Sequence, residues 1–120
     1  FAATLPSVRR VVERFGAPEV CRFEKGWFAD PLPRFRETVD VALLDVDLLS
    51  STRTCLAALA PRMRPGGTIL TQDGHLRAIA GLIGDDAFWR EEVGVRPARI
   101  VGLGERKLVE IEFGGDDRSA

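Results

Sequence analysis

Residues 40–52 read DVALLDVDLLSST, and residues 64–73, which follow a helical segment, read RPGGTILTQD. Each stretch contains a short apolar run that ends in polar side chains, with Asp45 after the first run and Asp73 after the second. Such a run is typical of a strand that is buried on both faces of a parallel sheet. Because the carboxyl ends of successive parallel strands meet at one rim, where open α/β sheets bind ligands, we expect Asp45 and Asp73 to share a site.

The composition of the 120 residues predicts one small soluble domain. Hydrophobic residues make up 45% of the chain, which is enough for a single modest core. Lys and Arg number 17 against 18 Asp and Glu, and this near-balance disfavours nucleic acid or a membrane surface as a partner. The sequence lacks both an apolar run of about 20 residues and a signal-peptide pattern, so we expect neither a membrane span nor export.

Two further features of the sequence bear on where the protein works. Cys21 and Cys55 lie in apolar surroundings, and we expect both to be buried, reduced thiols, which predicts a cytoplasmic protein. The chain begins with Phe1 rather than Met, which indicates a piece of a longer protein.

Helical and extended patterns alternate along the chain. Their order is α, β, β, α, β, α, followed by a short helical piece and an antiparallel pair of strands. This alternation predicts a doubly wound α/β sheet that forms one domain over residues 1–120, with a polar, frayed tail at 114–120. The helical patterns cover residues 5–15, 55–63, 76–83 and 88–93, and the extended patterns cover residues 20–23, 41–44, 68–71, 99–103 and 107–113.

The residues around the second helix carry signals for its two ends. We expect Ser50, Ser51 or Thr52 to cap its start, because their hydroxyl groups can accept the first free backbone N–H groups. The run PGG at 65–67 should end the helix and turn the chain into the next strand. Asp47 fits better as a cap of this helix than as a metal ligand.

Five short motifs occur in order along the chain: WFADPLP at 27–33, LDVDL at 44–48, Ser-Thr at 51–52, PGG at 65–67 and QD at 72–73. Together they resemble the macrocin-type (TylF-like) sugar O-methyltransferases, which are S-adenosylmethionine-dependent, metal-dependent enzymes of antibiotic biosynthesis. The resemblance covers about residues 1–92. It implies an O-methyltransferase, or the carboxyl-terminal part of one, that acts on a sugar or another small-molecule hydroxyl.

The resemblance also implies a Rossmann-like class I methyltransferase fold, with a mostly parallel sheet and an antiparallel hairpin at its carboxyl end. Its usual strand order is 3-2-1-4-5-7-6, and this chain would carry a partial version in which the first two strands are missing. With runs 20–23 and 41–44 as strands 3 and 4, the sheet would have a gap two strands wide. Because unpaired strand edges are adhesive, we expect self-association or completion by a missing N-terminal segment.

The same resemblance assigns roles to the polar residues at the rim. Asp45, Gln72 and Asp73 would bind a metal, which is Mg²⁺ for such oxygen ligands. Gln72 replaces an acid of the family, so the site loses one charge and should hold Mg²⁺ less tightly. Asp45 would also be catalytic and lie against S-adenosylmethionine. His75 is a second candidate catalytic residue, with a polar surface residue as the alternative, and Trp27 either borders the cofactor's adenine or belongs to the core.

Two other functions compete with the enzymatic interpretation. A non-catalytic, methyltransferase-like interaction or scaffold module would explain Gln72 and the missing strands. A phospho-accepting receiver domain would explain the motif LDVDL, but such domains need an acidic pair after their first strand, which the first 19 residues lack. We therefore expect a small-molecule hydroxyl substrate, and neither nucleic acid nor a membrane as a partner.

Overall fold

A computed structural model describes residues 4–114, which form three α-helices, a π-helix and four strands. The helices are α1 (Leu5–Phe15), α2 (Leu49–Leu59), α3 (Arg77–Ile83) and the π-helix Phe88–Val93. The strands are β1 (Val39–Leu44), β2 (Met63–Thr71), β3 (Arg99–Val101) and β4 (Val109–Glu112). Short 3₁₀ turns at Pro18–Val20, Leu32–Arg34 and Ala60–Arg62 complete the regular structure of this part of the chain.

The four strands form one continuous sheet in the order β1-β2-β4-β3. β1 and β2 are parallel, whereas β4 is antiparallel to both β2 and β3, so the predicted hairpin is confirmed. The described sheet is mixed: β1, β2 and β3 run in one direction and β4 runs in the opposite direction, as a mostly parallel sheet with an antiparallel hairpin requires. The observed order corresponds to the last four strands, 4-5-7-6, of the order that the sequence predicts.

The predicted strand at 20–23 is wrong. Pro18–Val20 forms a 3₁₀ turn, and the chain after it has no regular structure up to residue 31 apart from a turn. The alternating pattern misleads here because residues 20–23 pair with no strand among residues 4–114, and Val20 is 79% exposed. Without this strand, the described sheet does not contain the predicted internal gap.

The core lies between the sheet and the helices α2 and α3. Its fully buried side chains include Leu56, Ile69, Ile79, Ile83 and Ile111. Each contributes about 1.5–3 kcal/mol through removal of apolar surface from water. Trp89 closes one end of this core, since its Nε1–H donates to the Ile83 carbonyl oxygen over 2.8 Å and its ring packs edge-on against Phe88 and Phe113.

One face of β1 stays open. Leu44 points into the core and is 5% exposed, whereas Val41 and Leu43 on the opposite face are 63% and 58% exposed. The prediction that this strand is buried on both faces is therefore wrong for the described chain. α1 is similarly peripheral, because none of the residues in Leu5–Phe15 is buried.

The start of α2 differs from the prediction. The helix begins after Leu48, which occupies the N-cap position. A leucine side chain has no oxygen atom that could cap the helix. Ser50, Ser51 and Thr52 all lie inside the first turn, so the prediction that one of them is the cap is wrong. The Thr52 hydroxyl instead donates to the Leu48 carbonyl oxygen over 2.8 Å, back along the helix.

The start of β2 is also earlier than predicted. The strand begins at Met63, so the PGG run at 65–67 lies inside it rather than before it. Gly66 adopts a φ of +86°, and its N–H donates to the Phe113 carbonyl oxygen over 3.0 Å. The run therefore bends a strand that is still paired, which glycine permits at little conformational cost.

Two sequence predictions concern the thiols and the tail. Cys55 is buried as predicted, but Cys21 is exposed, so the expectation of two buried thiols is wrong for Cys21. The predicted tail at 114–120 lies outside the described residues except for Gly114. None of the helices in the described part of the chain has both the length and the apolar character to cross a membrane.

Candidate functional site

The carboxyl ends of β1 and β2 lie side by side. Leu44 pairs in register with Thr71, and the N–H of Gln72 donates to the Leu44 carbonyl oxygen over 3.1 Å. Parallel pairing therefore continues to the end of both strands. Asp45 and Asp73 follow these ends directly, and the sheet delivers both to one rim.

Three carboxylates converge at this rim, from Asp45, Asp47 and Asp73. One oxygen atom of each lies within 4.8 Å of the oxygen atoms of the other two. Asp73 is buried, with 2% of its surface exposed, whereas Asp45 and Asp47 are open to solvent. We refer to these three side chains as the acid cluster.

Asp47 enters the acid cluster through an unusual backbone turn. The N–H of Leu48 donates to the Val46 carbonyl oxygen over 2.7 Å, which closes a three-residue γ-turn around Asp47. Asp47 has a φ of +62°, a left-handed conformation that Asp tolerates better than most side chains. This turn also aims the Asp47 N–H at Oδ2 of Asp73, 3.1 Å away.

The sequence prediction that Asp47 caps α2 is therefore wrong, because the helix begins one residue later and lacks a capping side chain. Only one feature of the sequence indicates that Asp47 belongs to the acid cluster. Two acids separated by one residue, Asp45 and Asp47, follow a strand end, and a turn there can bring both to the same rim.

Asp73 is held by contacts on both sides. Its own N–H donates to Oγ1 of the fully buried Thr71 over 3.3 Å. The N–H of Gly74 donates to the Lys107 carbonyl oxygen over 2.8 Å, which joins this loop to the β3–β4 hairpin. A Cβ atom at Gly74 would lie only 2.3 Å from Cγ2 of Val109, so the close approach of the two loops requires glycine at this position.

The neighbouring acids of the cluster change the pKa of Asp47. The pKa of the Asp47 carboxyl lies above its usual range, first because of hydrogen bonding to the Asp73 side chain and then because of its negative charge. Loss of hydration and the charge of Asp45 raise this pKa further, and the ammonium of Lys107 lowers it. A cation bound among the carboxylates would relieve this repulsion.

The donor set of the acid cluster fits a divalent cation. Mg²⁺ and Ca²⁺ prefer carboxylate oxygens, and ligands on opposite sides of these ions lie about 4 Å and about 5 Å apart respectively. Oxygen atoms that are already within 4.8 Å of one another need only small side-chain movements to reach such distances. Asp45 and Asp47 can make these movements because both are exposed.

Three further residues, Gln72, His75 and Trp27, are predicted from the sequence to belong to the site. Gln72 is half-buried between the buried residues Thr71 and Asp73, and its role as a metal ligand stays a prediction. His75 is exposed at the start of α3 and lines a different cavity. Trp27 is 83% exposed in a turn, so the prediction that it belongs to the core is wrong, and its contact with a cofactor stays a prediction.

Comparison with known proteins gives consistent matches. The sequence profile of the family described as "Macrocin-O-methyltransferase (TylF)" matches residues 1–93. A 4'-O-methyltransferase of 8-demethyl-8-(2,3-dimethoxy-alpha-L-rhamnosyl)-tetracenomycin-C, from Streptomyces olivaceus, is 37% identical over 86 residues, which are 70% of this chain and 33% of that protein.

The solved structure of the O-methyltransferase NovP matches 94% of this chain with a TM-score of 0.75 and 24% sequence identity. At this identity the likeness shows a shared fold alone. The matched region spans 46% of the NovP chain, so the present chain accounts for less than half of either of these proteins.

Proposed function

Because the chain belongs to the macrocin-O-methyltransferase (TylF) family, we propose that it forms the metal-binding part of an S-adenosylmethionine-dependent O-methyltransferase. The observation that carries this proposal is the convergence of Asp45, Asp47 and Asp73 at one rim of the sheet. The acceptor would be a hydroxyl group of a sugar or a similar small molecule. The name of the Streptomyces olivaceus relative, which acts on a rhamnosyl group, supports a sugar.

The acid cluster would hold a divalent cation, with Mg²⁺ as our first choice, and S-adenosylmethionine would supply the methyl group. A cation bound there would orient the acceptor hydroxyl and lower its pKa. The residues of this chain then have distinct tasks. Asp73 is buried and hydrogen-bonded, so it provides a fixed anchor for the site.

We assign to Asp45 the contact with the acceptor's hydroxyl group. Asp45 is exposed at the rim, beside the fixed carboxylate of Asp73, and its oxygen atoms can accept the proton that leaves the hydroxyl. His75 could share this task only if the acceptor spans the distance from the acid cluster to the start of α3. Trp27 remains our candidate for the cofactor's adenine, together with Asp45 at the rim.

A non-catalytic module is the second candidate, and Gln72 is the observation that favours it. An amide in place of an acid removes one charge from the expected ligand set. Asp47 would compensate for this loss, because it brings a third carboxylate to the acid cluster. We therefore favour the enzyme, and the two candidates differ in whether the cluster binds metal.

Metal binding tests the proposal directly. Titration of the chain with Mn²⁺, followed by electron paramagnetic resonance, should show one site that Mg²⁺ displaces. Asp45→Asn should weaken this binding by about tenfold or more, because it removes a charged ligand. Asp30→Asn, which changes an exposed acid in the turn at 27–30, is the matched control and should leave binding unchanged.

Methyl transfer tests the reaction itself. The longest form of the protein that can be expressed should transfer a labelled methyl group from S-adenosylmethionine to methyl α-L-rhamnoside in a Mg²⁺-dependent reaction. Asp45→Asn should abolish this transfer while the circular dichroism spectrum stays unchanged. Failure of the chain to bind Mn²⁺, or equal binding by Asp45→Asn and Asp30→Asn, would favour the non-catalytic module.

A further inference from the structure

A cavity of about 400 Å³ lies between the start of α3 and the loop that joins β3 to β4. Its charged lining consists of Arg77 on α3 and Glu105, Arg106 and Lys107 on the loop, and His75 lies beside them. The residues that line the cavity thus include three permanent cations and one carboxylate. Within residues 4–114, none of these three cations takes part in an ion pair.

The position of Arg106 is built into the hairpin loop. Its N–H donates to the Gly102 carbonyl oxygen over 2.9 Å, and its guanidinium group lies against Gly102. A Cβ atom at Gly102 would lie 2.8 Å from Nε and 3.1 Å from Nη2 of Arg106. Gly102 also has a φ of +90°, so both the turn and the place of the guanidinium depend on glycine.

The cavity adjoins the acid cluster. The Lys107 carbonyl oxygen accepts the N–H of Gly74, the residue that follows Asp73. The Lys107 ammonium is also near enough to Asp47 to affect its carboxylate. Gly74 itself lines the cavity, so the cavity begins one residue beyond the acid cluster.

We propose that this cavity binds an oxyanion group, either phosphate or carboxylate, of the acceptor whose hydroxyl group reacts at the acid cluster. This inference rests on the proposed function for the reacting end, but the cavity itself lies outside the metal site. Arginine presents a planar fork of N–H donors that matches phosphate and carboxylate oxygens. A neutral acceptor such as methyl α-L-rhamnoside would react at the acid cluster but leave Arg77 and Arg106 without an anionic partner within residues 4–114. An oxyanion on the acceptor would use both of these charges.

Glucose and two anionic sugars test the inference. The anionic sugars are glucose 1-phosphate and glucuronate, each of which differs from glucose in one group. Each of the three sugars is titrated into metal-free chain, and amide shifts of Gly74, Gly104 and Lys107 are followed by NMR. At least one of the two anionic sugars should bind about tenfold more tightly than glucose, since charge-assisted hydrogen bonds are worth that much. Preference for glucose 1-phosphate identifies a sugar phosphate as the acceptor class, and preference for glucuronate identifies a uronate.

Variants locate the binding. The double substitution Arg106→Gln and Lys107→Gln should remove the preference for the anionic sugar, and Arg77→Gln on the opposite wall should reduce it independently. Arg10→Gln, which changes an exposed cation on α1, is the control and should leave the preference unchanged. Equal binding of the three sugars, or a preference that survives both cavity substitutions, would overturn the inference.

These outcomes are separable from those of the metal experiment. Because the sugars are titrated without metal, a cavity that binds anions in a chain that fails to bind Mn²⁺ would refute the proposed function alone. A chain that binds Mn²⁺ but treats the three sugars alike would refute only the inference about the cavity.

Discussion

The backbone N–H of Asp47 donates a hydrogen bond to Oδ2 of Asp73 over 3.1 Å and thereby joins the loops that follow β1 and β2. This hydrogen bond connects the two residues that carry two of the three clustered carboxylates. The hydrogen bond opposes the electrostatic repulsion between Asp47 and Asp73 and holds both residues at the acid cluster before any cation binds. Preorganisation of this kind lowers the cost of ordering the ligands when an ion arrives.

This connection predicts different effects for two substitutions of Asp73. Asp73→Ala leaves the partly buried N–H of Asp47 without its acceptor and should lower the free energy of unfolding by about 1–3 kcal/mol. Asp73→Asn keeps a carbonyl oxygen at this position and should cost much less. Urea unfolding followed by Trp89 fluorescence measures both, and equal losses would mean that the hydrogen bond does not stabilise the fold.

Asp47 should make the stability of the metal-free protein depend on pH. Its raised pKa means that the folded protein binds this proton more tightly than the unfolded chain does. The free energy of unfolding should therefore fall as the pH rises through the raised pKa of this carboxyl, because ionised Asp47 loses its hydrogen bond to the Asp73 side chain and then repels the charge of Asp73. Asp47→Asn should weaken that fall and raise the melting temperature at neutral pH.

The measurement is a series of thermal melts between about pH 4 and pH 7, without metal, for the original chain and Asp47→Asn. Addition of Mg²⁺ at neutral pH should raise the melting temperature of the original chain more than that of the variant. If the melting temperatures of the two proteins depend on pH in the same way, the charge of Asp47 does not destabilise the folded chain.

Much of the candidate site could be predicted from the order of short sequence patterns. Apolar runs that end in Asp45 and Asp73 indicated parallel strands with acids at one rim, and β1 and β2 have this arrangement. Asp47 escaped prediction because its role depends on a positive φ, a local backbone choice that no periodic pattern records. The same pattern before α2 is equally compatible with a helix cap.

The errors in the fold have a common physical cause, which is tertiary contact. Residues 20–23 alternate like a strand, but a strand also needs a partner, and Val20 faces solvent instead. The pairing of β3 with β4 could be predicted because both strands and their glycine-rich loop are local in the chain. The exposure of Val41 and Leu43 could not be predicted from the sequence, since it depends on what lies against the outer face of β1.

Gly74 should tolerate no side chain. Gly74→Ala places a Cβ atom 2.3 Å from Cγ2 of Val109 and 2.7 Å from the Arg106 carbonyl oxygen, so the β2–α3 loop must move away from the hairpin. We expect a loss of about 1–3 kcal/mol in the free energy of unfolding. The loop movement should also weaken Mn²⁺ binding, because Asp73 is the preceding residue.

Gly81→Ala is the matched control, since a Cβ atom there meets nothing within 4 Å and the position lies within α3. This substitution should stabilise the chain by about 0.5–1 kcal/mol through helix propensity. Urea unfolding of both variants measures the contrast, and similar effects at the two positions would exclude a steric role for Gly74.

The two thiols should differ in reactivity. Cys55 is 2% exposed, and burial raises its pKa to about 11, so it carries almost no thiolate at neutral pH, whereas Cys21 is exposed. Ellman's reagent should therefore label one thiol per native chain and two after unfolding in urea. Cys21→Ser should remove the native signal, and rapid labelling of that variant would show that the helix α2 opens easily.

The open face and edge of β1 predict that the 120-residue chain associates with a second copy of itself. Val41 and Leu43 expose apolar surface beside the unpaired backbone of an edge strand, a combination that promotes pairing between chains. Sedimentation velocity should show dimers or larger species whose population rises with concentration.

Substitution of one exposed leucine tests whether β1 is responsible for this association. Leu43→Lys puts a charge on the outer face of β1, and charged side chains on edge strands are a known defence against pairing, so the variant should sediment as a monomer. Val11→Lys is the control, because Val11 on α1 is exposed to the same extent, 58%, but lies outside the sheet. Equal dissociation by the two variants would indicate general adhesion of apolar surface, and a monomeric original chain would show that the open edge of β1 does not pair.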